Sequence, residues 1–360
     1  MPRKKKSVAV LYNHVGKDEY EELRKVDPAT LDFTPEYPIH VATVKEEYRA
    51  IVSALESEGF RARAVNIRDD IARLQSVLRR NAPNAIFNLV EFFHDEARME
   101  AAVAAMFDLH RIPFTGSPHF ALALCRRKGL TKQVLLQNGV ATPLFKVLKV
   151  SKVPRRHGLR YPLIVKPSRE DASAGVEQES VVWDFSQLSE RVNQMFEAFK
   201  PPILIEEFIE GKELHVSVLG NDPPVVLPIL EFDFSALPED HPTIITYEMK
   251  WNPLSLAYHK VHSVCPAQLS KMVEKRVQKH ALQAYMATSC RDYARIDMRL
   301  SKTNKPYVLE VNPNPDLTES VSFMESAEAA GISFSQTLRK IVEFALERHT
   351  PFSIPAAGSA

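Results

Sequence analysis

Two apolar segments near the C-terminus, Ala294 to Leu300 and Pro306 to Val311, carry charged residues inside runs that otherwise belong in a core. Ser301 to Lys305 between them reads as a tight polar turn, so the segments should pair as antiparallel strands. A strand period of two places Arg295 and Asp297 on one face, and Glu310 with Asn312 together on one face of the neighbour. That collects three oxygen ligands. A hairpin whose carboxylates merely face water is the weaker alternative, because unpaired acids on a buried face are costly. One or two carboxylates and an amide, completed by phosphate oxygens and waters, are the donors Mg²⁺ prefers, and magnesium with ATP is the natural reading.

Several nucleotide and metal signatures are absent: there is no G-x-G-x-x-G, no G-x-x-x-x-G-K-[ST] and no H-E-x-x-H. Any nucleotide must be held differently. Leu163-Ile164-Val165-Lys166-Pro167 is a strand ending in lysine, followed by a loop of small residues from Ser168 to Gly175 that could drape over phosphates. An ammonium about 4 Å from a phosphate oxygen gains roughly 4 kcal/mol at an effective dielectric near 20, which makes Lys166 a candidate phosphate clamp. Taken alone, a lysine at a strand end is more often a snorkelling surface residue. Ile203 to Ile209 is apolar but interrupted by Glu206 and Glu207, with Gly211 and Glu213 beyond a turn. Glu206 suits adenine and Glu213 the ribose hydroxyls; exposed acids on an edge strand are the competing explanation.

The first third alternates short apolar runs with helical patterns: Val8 to Tyr12, Val44 to Leu55, Ala62 to Ile67, Ile71 to Leu78, Ala85 to Val90 and Met99 to Leu109. That βαβαβα order predicts an α/β parallel sheet. His14 to His40 is too long for an ordinary βα connection and is therefore functional or disordered. A helix over Phe120 to Gln137 leads to a smaller α+β unit, and the last unit holds a polar excursion to Lys260, a long helix from Ala267, the acid-bearing strands and a helix over Phe334 to Arg348. The divisions fall at 1–118, 119–202 and 203–350, with a tail from 351 to 360.

Lysine and arginine number 46 against 45 acids, so no overall field draws the chain to nucleic acid or an anionic membrane; the partners should be small molecules. Cys125, Cys265 and Cys290 lie far apart without a C-x-x-C pair, which suits a reducing cytoplasm. The basic start, Met1 to Lys6, precedes too short an apolar run for a secretory signal or membrane span and reads as a solvated tail.

Phe114-Thr115-Gly116-Ser117, Lys128 to Lys132, Gly139-Val140-Ala141-Thr142-Pro143, Ile205-Glu206-Glu207-Phe208, Ala294-Arg295-Ile296-Asp297 and Leu309-Glu310-Val311-Asn312 follow one another in an order and approximate spacing that resembles the ATP-grasp superfamily, in its D-alanine:D-alanine ligase branch. The resemblance runs from about Ala85 to Glu347 and implies an ATP-grasp fold behind an N-terminal parallel-sheet domain. It implies that Lys128 and Lys166 hold the triphosphate, that Glu206, with Glu207 and the nearby backbone, meets adenine, and that Glu213 takes the ribose. Asp297, Glu310 and Asn312 would bind two magnesium ions, with manganese as a substitute. Lys250 would reach the γ-phosphate, and Arg295 would steady an oxyanion. The implied reaction joins a carboxylate to an amine through an acyl-phosphate, in a homodimer.

The departures concern the substrates. No glutamate after the first strand can be assigned to the first substrate's amino group. A substrate-positioning serine falls on Ala172, beside a matching Ser173. A histidine of the first lobe is replaced by Glu91, a tyrosine by Trp251, an oxyanion glycine by Asp316, and a serine by Val321 between Ser320 and Ser322. Other substrates on the same fold, a binding module without catalysis, and a small-molecule kinase are the alternatives.

Overall fold

The computed structural model describes residues 5–80, 82–170, 173–238 and 241–348; Met1 to Lys4 of the basic start, Ala172 and the tail from 351 to 360 lie outside the described residues. The N-terminal alternation forms as its periodicity predicts: β1 (Ser7–Tyr12), a short α1 (Glu19–Leu23), α2 (Val44–Ser57), β2 (Arg61–Asn66), α3 (Ile71–Arg79), β3 (Ala85–Leu89) and α4 (Glu100–Leu109). The strands make a parallel sheet in the order β2-β1-β3. Ala9, Leu11 and Ile86 pack under α3 and α4, while Val8, Val10, Ala85 and Phe87 face the other way, as in a parallel sheet covered on both sides. α2 starts where Thr43 and Glu46 close a capping box, each side chain accepting from the other's backbone N–H.

The stretch expected as one helix over Phe120 to Gln137 divides into α5 (His119–Cys125) and α6 (Lys128–Gln137). At the break the Lys128 N–H donates to the Ser168 carbonyl at 3.1 Å, which fastens the first turn of α6 to the loop after the next sheet's lysine strand. β4 (Phe145–Leu148), β5 (Leu163–Pro167), β6 (Val181–Val182), α7 (Phe185–Ala198) and β7 (Ile203–Glu207) form the smaller sheet, antiparallel in the order β4-β7-β5-β6. β7 had been expected to open the C-terminal lobe, but it pairs with both β4 and β5, so the smaller sheet extends to Glu207. Leu163, Val165, Ile203 and Ile205 pack on α7, which leaves Ile164, Lys166, Leu204 and Glu206 on the opposite face.

The larger sheet runs β11-β10-β8-β12-β13, with β9 added against β8. Its elements in chain order are β8 (Gly211–Leu219), β9 (Val225–Val226), β10 (Leu230–Asp233), α8 (Tyr247–Trp251), α9 (Leu256–Lys260), β11 (His262–Val264), α10 (Lys271–Ala287), β12 (Tyr293–Ser301), β13 (Pro306–Asn312), α11 (Ser322–Ala329) and α12 (Phe334–Glu347). α10 lays Val273, Val277, Ala281 and Ala284 on alternate residues of β8 and β12. α8 and α9 lie inside the polar excursion and α11 follows the acid-bearing strands, three helices that the apolar periodicity does not predict. α12, counted with the C-terminal unit, returns to roof the N-terminal sheet: Leu338, Ile341 and Val342 share a core with Val8, Val10 and Phe87. Each such buried aliphatic contributes about 1.5–3 kcal/mol, so the two ends of the chain hold each other.

Candidate active site

Alternation along β8 and β12 sorts their side chains into two sets. Leu214, Val216 and Val218 join Ala294, Ile296, Met298 and Leu300 in the core. The other set forms cross-strand pairs on the opposite face: Glu213 beside Arg299, His215 beside Asp297, and Ser217 beside Arg295. A cleft of about 850 Å³ opens between this charged face and the face of the smaller sheet that carries Ile164, Lys166 and Glu206.

Asp297 and Glu310 are register partners across β12 and β13, and Arg295 partners Asn312. The expected convergence of acids and amide is therefore present, since Asn312 Nδ2 donates to Asp297 Oδ2 at 2.9 Å. Arg295 donates to both oxygens of Asp297, at 2.7 and 2.9 Å, and Lys128 donates to Glu310. Burial opposes the charge on Glu310, but Lys128, with Lys166 beyond it, holds the carboxyl below its ordinary pKa. Among the described residues, no group of three or more His, Cys, Asp or Glu gathers as a cage for a metal. Two acids and an amide fit a magnesium ion that also takes phosphate and water oxygens.

Lys166 Nζ lies 2.6 Å from Glu206 Oε1, and Lys132 Nζ lies 2.7 Å from Oε2. The Lys132 ammonium also donates to Thr142 Oγ1 at 2.6 Å and is 0% exposed. Burial lowers the Lys132 pKa to about 8 against the pull of Glu206, while Glu206 stays below its usual value because two cations outweigh its desolvation. Glu206 had been expected at the adenine; in this structure both its oxygens are committed to lysines. Lys132 was not among the sequence candidates, although it lies four residues after Lys128 on α6, hence on the same helix face.

Glu207, Glu213, Ser173 and Lys250 also line the cleft. Glu213 accepts from Arg299 at 2.9 Å, and burial nonetheless raises its pKa. Glu207 is held by Arg160, whose backbone N–H donates to it at 3.0 Å. Ser173 sits at φ +62° in the loop after β5. Lys250 projects from α8, its pKa lowered by burial and then by Arg295. Arg295 and Asn312 join the site through Asp297. Two further residues went unnoticed in the sequence, Arg299 and His215. Arg299 is buried and donates to the carbonyls of Ile209 and Gly211 at 2.9 and 3.0 Å, fixing the turn between the two sheets. His215 contacts Ser322 Oγ through Nδ1 at 2.9 Å; burial, followed by Arg295 and Lys250, depresses its pKa well below the ordinary value and keeps it neutral. Period-two counting onward from Asp297 and from Glu213 finds both.

Asp316 Oδ1 accepts from the backbone N–H and the hydroxyl of Thr318, both at 2.8 Å. Glu47, in the first turn of α2, has its pKa raised to about 7 by burial and then by the charges of Asp316, Glu91 and Asp18. It stands on α2, the second α-helix after β1, in the part of the chain where the sequence allowed no glutamate to be assigned.

A small and a large antiparallel sheet that close on one cleft, behind an N-terminal parallel sheet, define an ATP-grasp carbon–nitrogen ligase. The family model described as D-ala D-ala ligase C-terminus matches residues 135–343. A D-alanine–D-alanine ligase of Desulforudis audaxviator is 32% identical over 304 residues, which cover 83% of this chain and 92% of that protein. The protein y4sG of Sinorhizobium fredii, described as uncharacterized, is 33% identical over 264 residues, 73% of this chain and 75% of its own length. The crystal structure of the Bacillus anthracis D-alanine–D-alanine ligase complexed with ATP superposes with a TM-score of 0.69 at 21% identity, covering 96% of this chain and 98% of that one. The chain belongs to the D-alanine–D-alanine ligase family and is an ATP-dependent ligase of this kind. Among the described residues no helix is long and apolar enough to cross a membrane.

Proposed function

We propose that the cleft takes ATP and joins the carboxylate of one small amino acid to the amine of another, with D-alanine the first substrate to test for both roles. The observation that carries this reading is the meeting of Asp297 and Glu310, with Asn312 bonded to Asp297, on one side of the cleft with Lys128, Lys166 and Lys250 on its other walls. Magnesium held by Asp297, Glu310 and Asn312 would supply positive charge to the phosphates. Lys128 and Lys166 already neutralise acids at the site, so each can exchange a carboxylate for a phosphate oxygen without carrying an uncompensated charge into a buried place. Lys250 reaches the cleft from α8, where its ammonium can meet the transferring phosphoryl group. Adenine contact falls to the backbone of the strand end at Glu207 and Phe208, since the Glu206 carboxylate is occupied, and Glu213 serves the ribose. Arg295 is the donor for the oxyanion that forms when the amine attacks the acyl-phosphate; losing such a donor typically costs about 2.7–4 kcal/mol. Ser173 lies where the loop after β5 can bind the first substrate.

A second reading changes the amine. Asp316 stands in place of the expected oxyanion glycine, and Glu47 is already pushed toward protonation by burial and then by its acidic neighbours. That balance favours an amine substrate bearing more positive charge than D-alanine. Incubating the chain with ATP, magnesium and a matrix of acids and amines, with phosphate release and product mass as readouts, decides between them. An amide from D-alanine alone supports the first reading, and amides only from diamines or basic amino acids support the second. A stable phosphorylated product points to a kinase, and binding of ATP without phosphate release points to a non-catalytic module. The three free cysteines support a reducing cytoplasm, and sedimentation would test the homodimer that the family resemblance suggests.

A further inference from the structure

The long connection after β1 is ordered and tied down at both ends. Asp18 caps α1 by accepting from Tyr20 N at 3.1 Å, and its second oxygen accepts from Val44 N at 2.8 Å at the start of α2. At the far end the backbone N–H groups of Glu36 and Tyr37 both donate to His259 Nδ1, at 3.2 and 3.1 Å. An imidazole nitrogen that accepts two N–H bonds must keep its lone pair, so the proton is on Nε2, which donates to the Pro253 carbonyl at 2.9 Å. Pro253 lies three residues after Lys250, and His259 is fully buried. Side chains reinforce the join: Lys260 pairs with Glu36 at 2.6 Å, Tyr37 Oη meets His262 Nδ1 at 2.6 Å, and the Tyr37 ring stacks on His259. On its opposite side the Lys250 helix is held by the Tyr247 N–H, which donates to the Val176 carbonyl in the loop after β5 at 3.0 Å.

We propose that Glu36, Tyr37 and His259 are positioning residues, with residues 14–43 acting as a strap that holds the Lys250 helix across the cleft so that water does not reach the activated acid. The inference rests on the ligase reading for its chemistry and on the contacts above for its structure. The strap acts through position alone, because none of the three residues lines the cleft.

The test compares wild-type chain with a Glu36→Gln, Tyr37→Phe double variant, a His259→Ala variant and a His259→Asn variant that retains an acceptor near Nδ1. Hydrogen exchange of the amides in residues 247–260 should quicken about tenfold in the first two, and less in His259→Asn. In the acid and amine assay, the phosphate released per amide formed should rise at least about threefold in the same two variants, as expected for a lid that admits water. The double variant touches only half-exposed groups and guards against misfolding of His259→Ala. Unchanged exchange in both variants overturns the strap, and faster exchange with an unchanged phosphate-to-amide ratio overturns the positioning role. Absence of phosphate release from the wild type with every acid counts against the ligase reading instead, and the exchange measurement still judges the strap.

Discussion

Asp297 and Glu310 sit directly opposite each other on β12 and β13, and one step further the register slips, so that Met298 pairs with Val308 and Leu309 is the extra residue. The bulge turns Leu309 and Glu310, neighbours in sequence, toward the same cleft. A regular strand would have sent one of them into the core. The acid site therefore depends on a local irregularity as well as on the pairing of two strands.

Glu310→Gln removes a ligand charge from the cation site and the charge that Glu310 presents to Lys128. Phosphate release with a productive substrate pair should fall about 10²–10³-fold, in line with the loss of one strong electrostatic contact. A magnesium titration should shift to higher concentration. A rate within twofold of wild type would remove Glu310 from the metal assignment.

Lys166→Ala should weaken ATP binding more than it slows the bound complex. An attraction of roughly 4 kcal/mol at an effective dielectric near 20, offset by desolvation, leaves an expected increase of about 10–100-fold in the dissociation constant. Calorimetry with a non-hydrolysable nucleotide measures it, and an unchanged constant would contradict the clamp.

Lys132→Met tests the buried bridge between α6 and β7. Glu206 would keep Lys166 but lose its other counter-ion, and breaking a buried pair from one side costs about 3–5 kcal/mol. Thermal unfolding should show a clear drop in midpoint, and adding Glu206→Gln to the variant should recover part of it. A midpoint equal to wild type would mean the bridge contributes nothing.

Glu47 carries a pH prediction. Its carboxyl, pushed up to about 7 by burial and then by Asp316, favours the folded state most at pH values below its ordinary 4.5, and that advantage is lost as the pH rises through about 7. Glu47→Gln should match wild-type stability near pH 4 and exceed it by about 1–3 kcal/mol near pH 8, the lower end allowing for solvent screening of a half-buried group. Denaturant unfolding at the two pH values checks the sign. Greater stability of the variant at the acid end alone would contradict it.

The elements were legible where one periodicity dominated. The parallel βα alternation, the acid-bearing strands and the terminal helix all carry uninterrupted apolar spacing, and each formed close to its expected bounds. α8, α9 and α11 were not legible because two are five-residue helices in a polar stretch and the third is eight residues long, each too short to build a readable pattern. His215 and Arg299 differ from these, since the same alternation that exposes Glu213 and Asp297 exposes them as well.

Wherever a strand or helix runs regularly, the sequence by itself determined which residues share a face, because that follows from the period of the backbone. It therefore put Asp297, Glu310 and Asn312 within reach of one another, and put the lysine strand before a loop suited to phosphates. Only the tertiary structure decided that β7 completes the smaller sheet, that Glu206 is spent between Lys132 and Lys166, and that a loop near the N-terminus meets the helix of His259. Those are contacts between residues far apart in the chain, for example Tyr37 and His259, and no local period encodes them. They arise when separate elements bury their apolar faces together and leave each polar group to find whatever partner the packing brings.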